Sequence, residues 1–314
     1  MNCLCCGKPL TDQESSGWHK KCISRFFGVS QLPEIEINQA TLDTLATEST
    51  GKGFTVPGVQ KKLSLHLFSD KKTPRLTLVN YPTGYILKPQ VSEIESLPEA
   101  EHMAMLMAEA TGIATVPHAL LPGKEGFAYI TKRVDRKGKQ GKEMLAMEDF
   151  CQLDLRLTQD KYKGSYERCA KVVERYSSRK GLDMTELYLR LVFSFVIGNS
   201  DMHLKNFSLL ETAEGSGMYV LSPAYDLLPV NVLLPEDKEQ FALTLNGKKR
   251  NLHRKDFFTF AASCGISQIA AEKMMAGVVR RKSTYLFLCE ESFLPEPLKE
   301  QCMALIAERC KTLE

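Results

Sequence analysis

Between residues 63 and 132 short stretches alternate or run apolar around one segment of helical spacing, whereas from Glu143 onward apolar positions recur mainly at helical spacing. Leu63–Phe68, Arg75–Val79 and Gly84–Lys88 alternate or run apolar between turn signals such as Ser69-Asp70 and Pro82-Thr83-Gly84, which predicts an antiparallel sheet. Pro98 opens a stretch with acidic residues in its first turn, apolar Met103, Leu106 and Met107, and a stop at Gly112, predicting a helix over Glu99–Thr111. His118–Leu121 and Phe127–Lys132 predict two further strands, the second running into the charged turn Asp135–Gly138. Helices are predicted near 144–153, 163–178 and 183–198, and again after Asp256. Between Phe207 and Leu221 two short strands flank the turn Ala213–Gly217.

This order predicts an α+β chain in three parts. A compact cysteine-rich segment spans 1–28, a β-rich lobe spans 29–142 with a polar connection over 29–50, and an all-helical lobe spans 143–314.

Composition narrows the function classes. A net charge of +3 over 314 residues excludes a polycation that coats nucleic acid. The longest apolar run, around Leu191–Ile197, is far short of a membrane span, and the N-terminus has no charged and apolar leader pattern, so a cytoplasmic protein is expected. Of ten cysteines, Cys151, Cys169, Cys264, Cys289, Cys302 and Cys310 are dispersed singly and read as reduced small hydrophobes.

The sharpest chemical pattern is Ser200-Asp201-Met202-His203-Leu204-Lys205-Asn206, followed by the hairpin and then Tyr225-Asp226-Leu227. Protein kinases place a catalytic Asp five residues before a metal-binding Asn, and a second metal-binding Asp after a short hairpin. Such a loop sets one carboxylate beside the attacking hydroxyl while the amide oxygen and the second carboxylate reach Mg²⁺. The competing reading makes Asp201 a helix cap and Asp226 an ordinary turn residue. A phosphate-anchoring lysine belongs on an early strand, where Lys88 stands, with Glu101 of the next helix as its partner. Taken singly, a lysine at a strand end is usually solvated. The glycines of Gly51–Lys62 let backbone amides approach phosphate oxygens, although the spacing is that of neither a P-loop nor the common kinase loop, and a flexible turn is the alternative.

At the N-terminus, Cys3-x2-Cys6-x12-His19-x2-Cys22 has the spacing of a tetrahedral Zn²⁺ site. Cys5 competes within it, and a chance grouping of reduced cysteines is the alternative.

Taken in order, Gly58–Lys62, Tyr85–Pro89, Glu101 with the helix to Gly112-Ile113, Lys132–Arg136, Glu148–Gln152, Gly198–Asn206 and Tyr225-Asp226 resemble HipA-type serine/threonine kinases, toxins of bacterial toxin-antitoxin modules. The resemblance spans approximately residues 50–310 and implies a two-lobed protein-kinase-like fold. It implies ATP bound with Lys88, Asp201 as catalytic base, Asn206 and Asp226 on Mg²⁺, and Lys132 to Val134 near the adenine. Gly58, Gln60, Glu101 and His203 complete the implied nucleotide-binding set. It further implies a protein substrate such as an aminoacyl-tRNA synthetase, a DNA-binding antitoxin, and operator DNA near Lys248-Lys249-Arg250, a run that otherwise reads as a solvated face.

Two departures from that resemblance matter. No room is expected for the N-terminal subdomain of the long form before the glycine loop, so the chain resembles the short HipT-like branch, in which a separate small protein replaces it. The Cys/His segment is the second departure, one that the short branch does not generally need and some HipA-like proteins carry. Thr55 keeps the phosphorylatable hydroxyl of the loop, where serine is commoner, and Pro57 removes a second acceptor. Regulatory autophosphorylation at Thr55 is therefore expected. Other classes stay open: a catalytically silent kinase-fold scaffold, a zinc-bearing DNA-binding regulator, and a small-molecule kinase.

Overall fold

The computed structural model describes residues 1–12, 14–36, 62–69, 74–77, 84–123, 126–138 and 143–314. Thr55, Gly58 and Gln60, with the rest of the glycine loop up to Lys61, lie outside the described residues, as does Val79. In chain order the elements are α1 (Lys20–Phe27), β1 (Glu34–Glu36), β2 (Leu63–Ser69), β3 (Pro74–Thr77), β4 (Tyr85–Pro89), α2 (Leu97–Thr111), β5 (His118–Pro122) and β6 (Phe127–Lys132). They continue with β7 (Arg136–Lys137), β8 (Glu143–Met144), β9 (Met147–Asp149), α3 (Phe150–Leu153), α4 (Tyr166–Tyr176), α5 (Lys180–Ile197), β10 (Ser208–Glu211) and β11 (Tyr219–Leu221). The described chain closes with α6 (Val230–Leu233), α7 (Arg254–Ser263), α8 (Gln268–Arg280), α9 (Lys282–Glu290) and α10 (Glu296–Leu313). Two compact units result: Met1–His102 with Pro117–Glu143, and Met103–Val116 with Met144–Glu314.

In the first unit six strands pair in the order β1-β3-β2-β4-β6-β5. β4 lies between β2 and β6, so its backbone is hydrogen-bonded along both edges, and Lys88 pairs in register with Tyr129. The ladders are antiparallel, as the alternation predicts, with one exception. β1 runs parallel to β3, Ile35 opposite Leu76, inside a stretch expected to be a connection. Three residues are too few to show a period, and the strand owes its existence to a ladder partner remote in sequence.

The first half of α2 lies against this sheet through Glu101, whose carboxylate reaches Lys88. Side chains alternate along a strand, so Ile86 and Lys88 face one side of the sheet while Tyr85 and Leu87 face the other.

In the second unit α5 is apolar around most of its circumference: Leu187, Leu191, Val192, Phe193, Phe195 and Val196 are fully buried. A helix with no polar stripe must be central, and α4, α8 and α10 pack around it. It stops at Gly198, in the left-handed region at φ 73°, where an added Cβ would collide with Leu305 of α10. Only glycine ends the helix there without moving its neighbour.

The second unit is not all-helical. β9, β10 and β11 form a three-stranded antiparallel sheet, and the helix expected over 144–153 is replaced by β9 and the single turn α3. Met147-Glu148-Asp149 pairs with Leu210-Leu209-Ser208, and the side chains of Asp149 and Gln152 cap one another's backbone N–H groups. That capping box starts the helix at Phe150 and forbids an earlier start.

Candidate active site

The first constellation belongs to the first unit. Lys88 is 2% exposed and its ammonium donates to Glu101 Oε1 at 2.5 Å, with Glu101 wholly buried. The ammonium also stands 5.2 Å from the ring centroid of Tyr129. Isolated charges at such burial are untenable, so the pair stands or falls together. Behind them, His118 stacks on Tyr129, and His118 Nδ1 lies 3.0 Å from Nδ1 of the buried His102. Burial, and then the neighbouring His118, hold His102 well below the usual imidazole range.

Lys132 and Val134 sit at and just beyond the end of β6, half-buried. The Lys132 N–H donates to the Pro117 carbonyl at 2.9 Å. Arg133 clamps Asp135 with two hydrogen bonds of 2.9 and 2.6 Å, which fixes the turn.

The second constellation belongs to the second unit. Asp201 follows the end of α5, and a short 3-10 turn, Leu204–Asn206, folds the loop back so that the Asn206 side-chain amide donates to the Asp201 carbonyl at 2.8 Å. This spends the amide nitrogen of Asn206 and leaves its oxygen as the group available to a cation. The Asp201 carboxylate accepts from the Tyr162 hydroxyl at 2.8 Å, and Tyr162 meets the buried His203 edge to face at 5.0 Å. Burial pushes the Asp201 carboxyl above its ordinary value; the Tyr162 hydrogen bond and Lys161 oppose this, and the charges of Asp226 and Asp237 add to it. Lys205 is held by Asp149 at 2.6 Å, tying the loop to β9.

Asp226 has φ 55°, a left-handed conformation that an aspartate tolerates better than most side chains. The segment before it is tied to residues 114–116 by a parallel bridge: Val116 N–H donates to the Ala224 carbonyl at 3.0 Å and Ala224 N–H to the Ala114 carbonyl at 2.7 Å. The Tyr225 hydroxyl bonds Ser208 and the Lys205 carbonyl. Asp226 is thus aimed by its neighbours and sits close enough to Asp201 for their charges to oppose each other. The amide oxygen of Asn206 and the carboxylate of Asp226 are hard donors of the kind Mg²⁺ takes.

Tyr162, Asp237 and the His102–His118 pair were not singled out from the sequence. Tyr162 lies in a loop 39 residues before Asp201, within Lys161-Tyr162-Lys163, and no spacing rule marks it. Asp237 accepts from Ser200 Oγ at 2.7 Å and is equally unmarked. In the basic run the half-buried Lys248 pairs with Asp256 at 2.8 Å and Lys249 with Glu239 at 3.2 Å.

Separately, one potential ligand atom from each of Cys3, Cys6, His19 and Cys22 falls within 4.8 Å of the others.

The sequence profile of the HipA-like C-terminal domain matches residues 54–285. A Haemophilus influenzae protein named "Putative kinase" is 25% identical over 318 residues, covering 92% of this chain and 88% of that protein. "Putative kinase Y4mE" of Sinorhizobium fredii is 28% identical over 280 residues, and "Putative kinase Y4dM" of the same organism is 32% identical over 232. These cover 86% and 68% of this chain, which spans 63% and 54% of the two proteins. Among solved structures, HipA of Shewanella oneidensis, in a complex with HipB and operator DNA, superposes with a TM-score of 0.69 at 18% identity, over 82% of this chain and 64% of that one. The proinflammatory kinase CtkA of Helicobacter pylori gives 0.54 at 17% identity, over 78% of this chain and 90% of that one. At those identities the likeness is one of fold, and it agrees with the expected kinase-like α+β architecture. The profile match covers well over half of the sequence, and on that ground the chain belongs to the HipA-like C-terminal domain family.

Proposed function

We propose that this protein is a serine/threonine protein kinase that transfers the γ-phosphoryl group of ATP to a protein hydroxyl. The observation that carries the reading is the loop Asp201–Asn206 with Asp226: a half-buried, hydrogen-bonded carboxylate five residues before an amide whose oxygen is left for a cation, and a second carboxylate in an unusual backbone conformation. Asn206 and Asp226 would hold Mg²⁺, which neutralises phosphate charge when bound. Asp201 orients the acceptor hydroxyl and takes its proton as the oxygen bonds to γ-phosphorus and the bond to the β-γ bridging oxygen breaks, releasing ADP. Its raised pKa suits a base that must accept a proton. Lys88, kept charged by Glu101, would contact the ATP phosphates, with Lys132 to Val134 beside the adenine; Gly58, Gln60 and His203 complete the set by resemblance.

From the resemblance of its motifs to HipA-type kinases we further propose a toxin of the short HipT-like branch that blocks translation by modifying an aminoacyl-tRNA synthetase, with an antitoxin, a separate small partner protein, and Thr55 as its own phosphorylation site. The Shewanella relative's complex with HipB and operator DNA supports the antitoxin assignment. Incubation with γ-labelled ATP and Mg²⁺ tests the core reading. Label should appear on the wild-type chain or on a presented synthetase and not with Asp201→Asn; a wild-type protein that binds ATP and labels nothing would be a silent scaffold. Phosphothreonine at 55 should appear in the active form alone.

A further inference from the structure

We infer that Cys3, Cys6, His19 and Cys22 bind one structural Zn²⁺, and that this metal clamps β4, the strand that carries Lys88. The geometry is that of a tetrahedron drawn around an ion. With Zn–S about 2.3 Å and Zn–N about 2.0–2.1 Å, the edge between a sulfur and a nitrogen ligand is about 3.6 Å. His19 Nδ1 lies 3.4 Å from Cys6 Sγ and 3.8 Å from Cys22 Sγ. The other ring nitrogen, Nε2, is 3.1 Å from the Pro9 carbonyl, which can only accept; the proton therefore sits on Nε2 and the Nδ1 lone pair faces the sulfurs. A carbonyl holding the far side of an imidazole is the usual support of a zinc-bound histidine. The His19 N–H points at Cys3 Sγ at 3.4 Å, a donor suited to a thiolate. Cys5 is outside the four-ligand group.

This centre is joined to the sheet at two places. The carbonyl of Leu4, between the first two cysteines of the motif, accepts from Leu120 N–H of β5 at 2.7 Å. Phe26 and Phe27, at the end of the helix that begins beside His19, pack on Trp18 and on Tyr85 of β4, with ring centroids 4.7 to 5.9 Å apart, and the Tyr85 hydroxyl donates to the Phe26 carbonyl at 3.3 Å. Tyr85 precedes Lys88 by three residues and faces the other side of the sheet. The aromatic cluster thus backs the strand from behind while Glu101 holds its lysine in front. A segment of this length has too small a core to hold that backing alone, so the metal supplies the folding energy. The consequence for nucleotide binding, though not the clamp itself, rests on reading Lys88 as a phosphate contact.

The test uses the full chain purified without chelator. Elemental analysis should give one Zn²⁺ per chain, retained by Cys5→Ser and lost in Cys22→Ser. Chelation of wild-type protein should shift the emission of Trp18, the single tryptophan, to the red and speed amide exchange over residues 85–89 by about tenfold or more, with helices 254–313 unchanged and zinc restoring both. Because chelation is reversible, a Cys22→Ser variant that fails to fold leaves the test intact. Protein lacking zinc with Trp18 emission already blue, unchanged exchange at 85–89 after complete removal, or equal loss of protection throughout the chain would each overturn the clamp. Failure of the zinc-loaded protein to bind ATP would instead overturn the kinase reading and leave the clamp standing.

Discussion

The hydroxyl of Tyr162 donates to Oδ1 of Asp201 at 2.8 Å, and the carboxylate that receives it is one that burial has already pushed toward protonation. The bond stabilises the charged form and so lowers the pKa that burial raises. Replacing Tyr162 by Phe removes the opposing contribution alone. Transfer by Asp201 needs the deprotonated carboxylate, so the acid limb of the rate profile should move to higher pH, by about one pH unit for the loss of one such hydrogen bond. Well above that limb the variant should approach wild-type rates. A limb that stays in place would separate Tyr162 from the base.

Asp226→Asn keeps a residue that accepts the left-handed backbone and removes the charge. The variant should melt within about 3 °C of wild type, a shift on the order of 1 kcal/mol. The Mg²⁺-dependent part of nucleotide affinity should fall by at least about tenfold, the loss seen when even an outer partner of a metal ligand is removed. Calorimetric titration with and without Mg²⁺ measures both quantities.

Glu101→Ala removes the carboxylate that holds the buried ammonium of Lys88. The expected cost is about 3–5 kcal/mol, as for other buried pairs broken on one side. The double change Lys88→Met with Glu101→Leu should return most of that stability in denaturant titration while nucleotide binding stays lost. Recovery of binding in the double variant would remove Lys88 from the site.

Lys248→Ala with Lys249→Ala breaks a pair to the part-exposed Glu239 and a pair to the buried Asp256, which keeps the His253 N–H as a donor. The first contributes about 0–1 kcal/mol and the second about 1–2 kcal/mol, so the melting temperature should fall by several degrees, about 2–10 °C. Their charges already face Asp256 and Glu239, and the salt dependence of any complex with operator DNA should keep its slope. A slope reduced by about one to two would restore these lysines as phosphate contacts.

Much of the site could be read from the chain because fixed spacing carries chemistry. Asp201 and Asn206 sit in one loop, the strand of Lys88 precedes the helix of Glu101, and Cys3, Cys6, His19 and Cys22 lie within 20 residues of one another around the start of α1. The residues that tune them could not be read this way. Tyr162 comes from a loop whose sequence is ordinary, and its role exists only once the chain has folded. β1 and β9 are each three residues long and acquire strand character from their partners, which is why one was expected as connection and the other as helix. The histidines at 102 and 118 fell within predicted elements, where polarity alone gave no sign that they meet.

The 3.0 Å approach of His102 Nδ1 to His118 Nδ1 demands a proton between two nitrogens, and there is room for one only. His102 Nε2 is buried without a hydrogen-bond partner among the described residues, and a bare lone pair in that position costs less than a stranded N–H. A proton on His102 Nδ1, accepted by His118 Nδ1, meets both conditions and would leave the proton of His118 on Nε2. This makes the two rings inequivalent tautomers, one of them the rarer form, and nitrogen chemical shifts would show it directly. A sheet face built on such a pair has a direction: its dipoles can be ordered one way at no cost and the other way only by burying a naked donor.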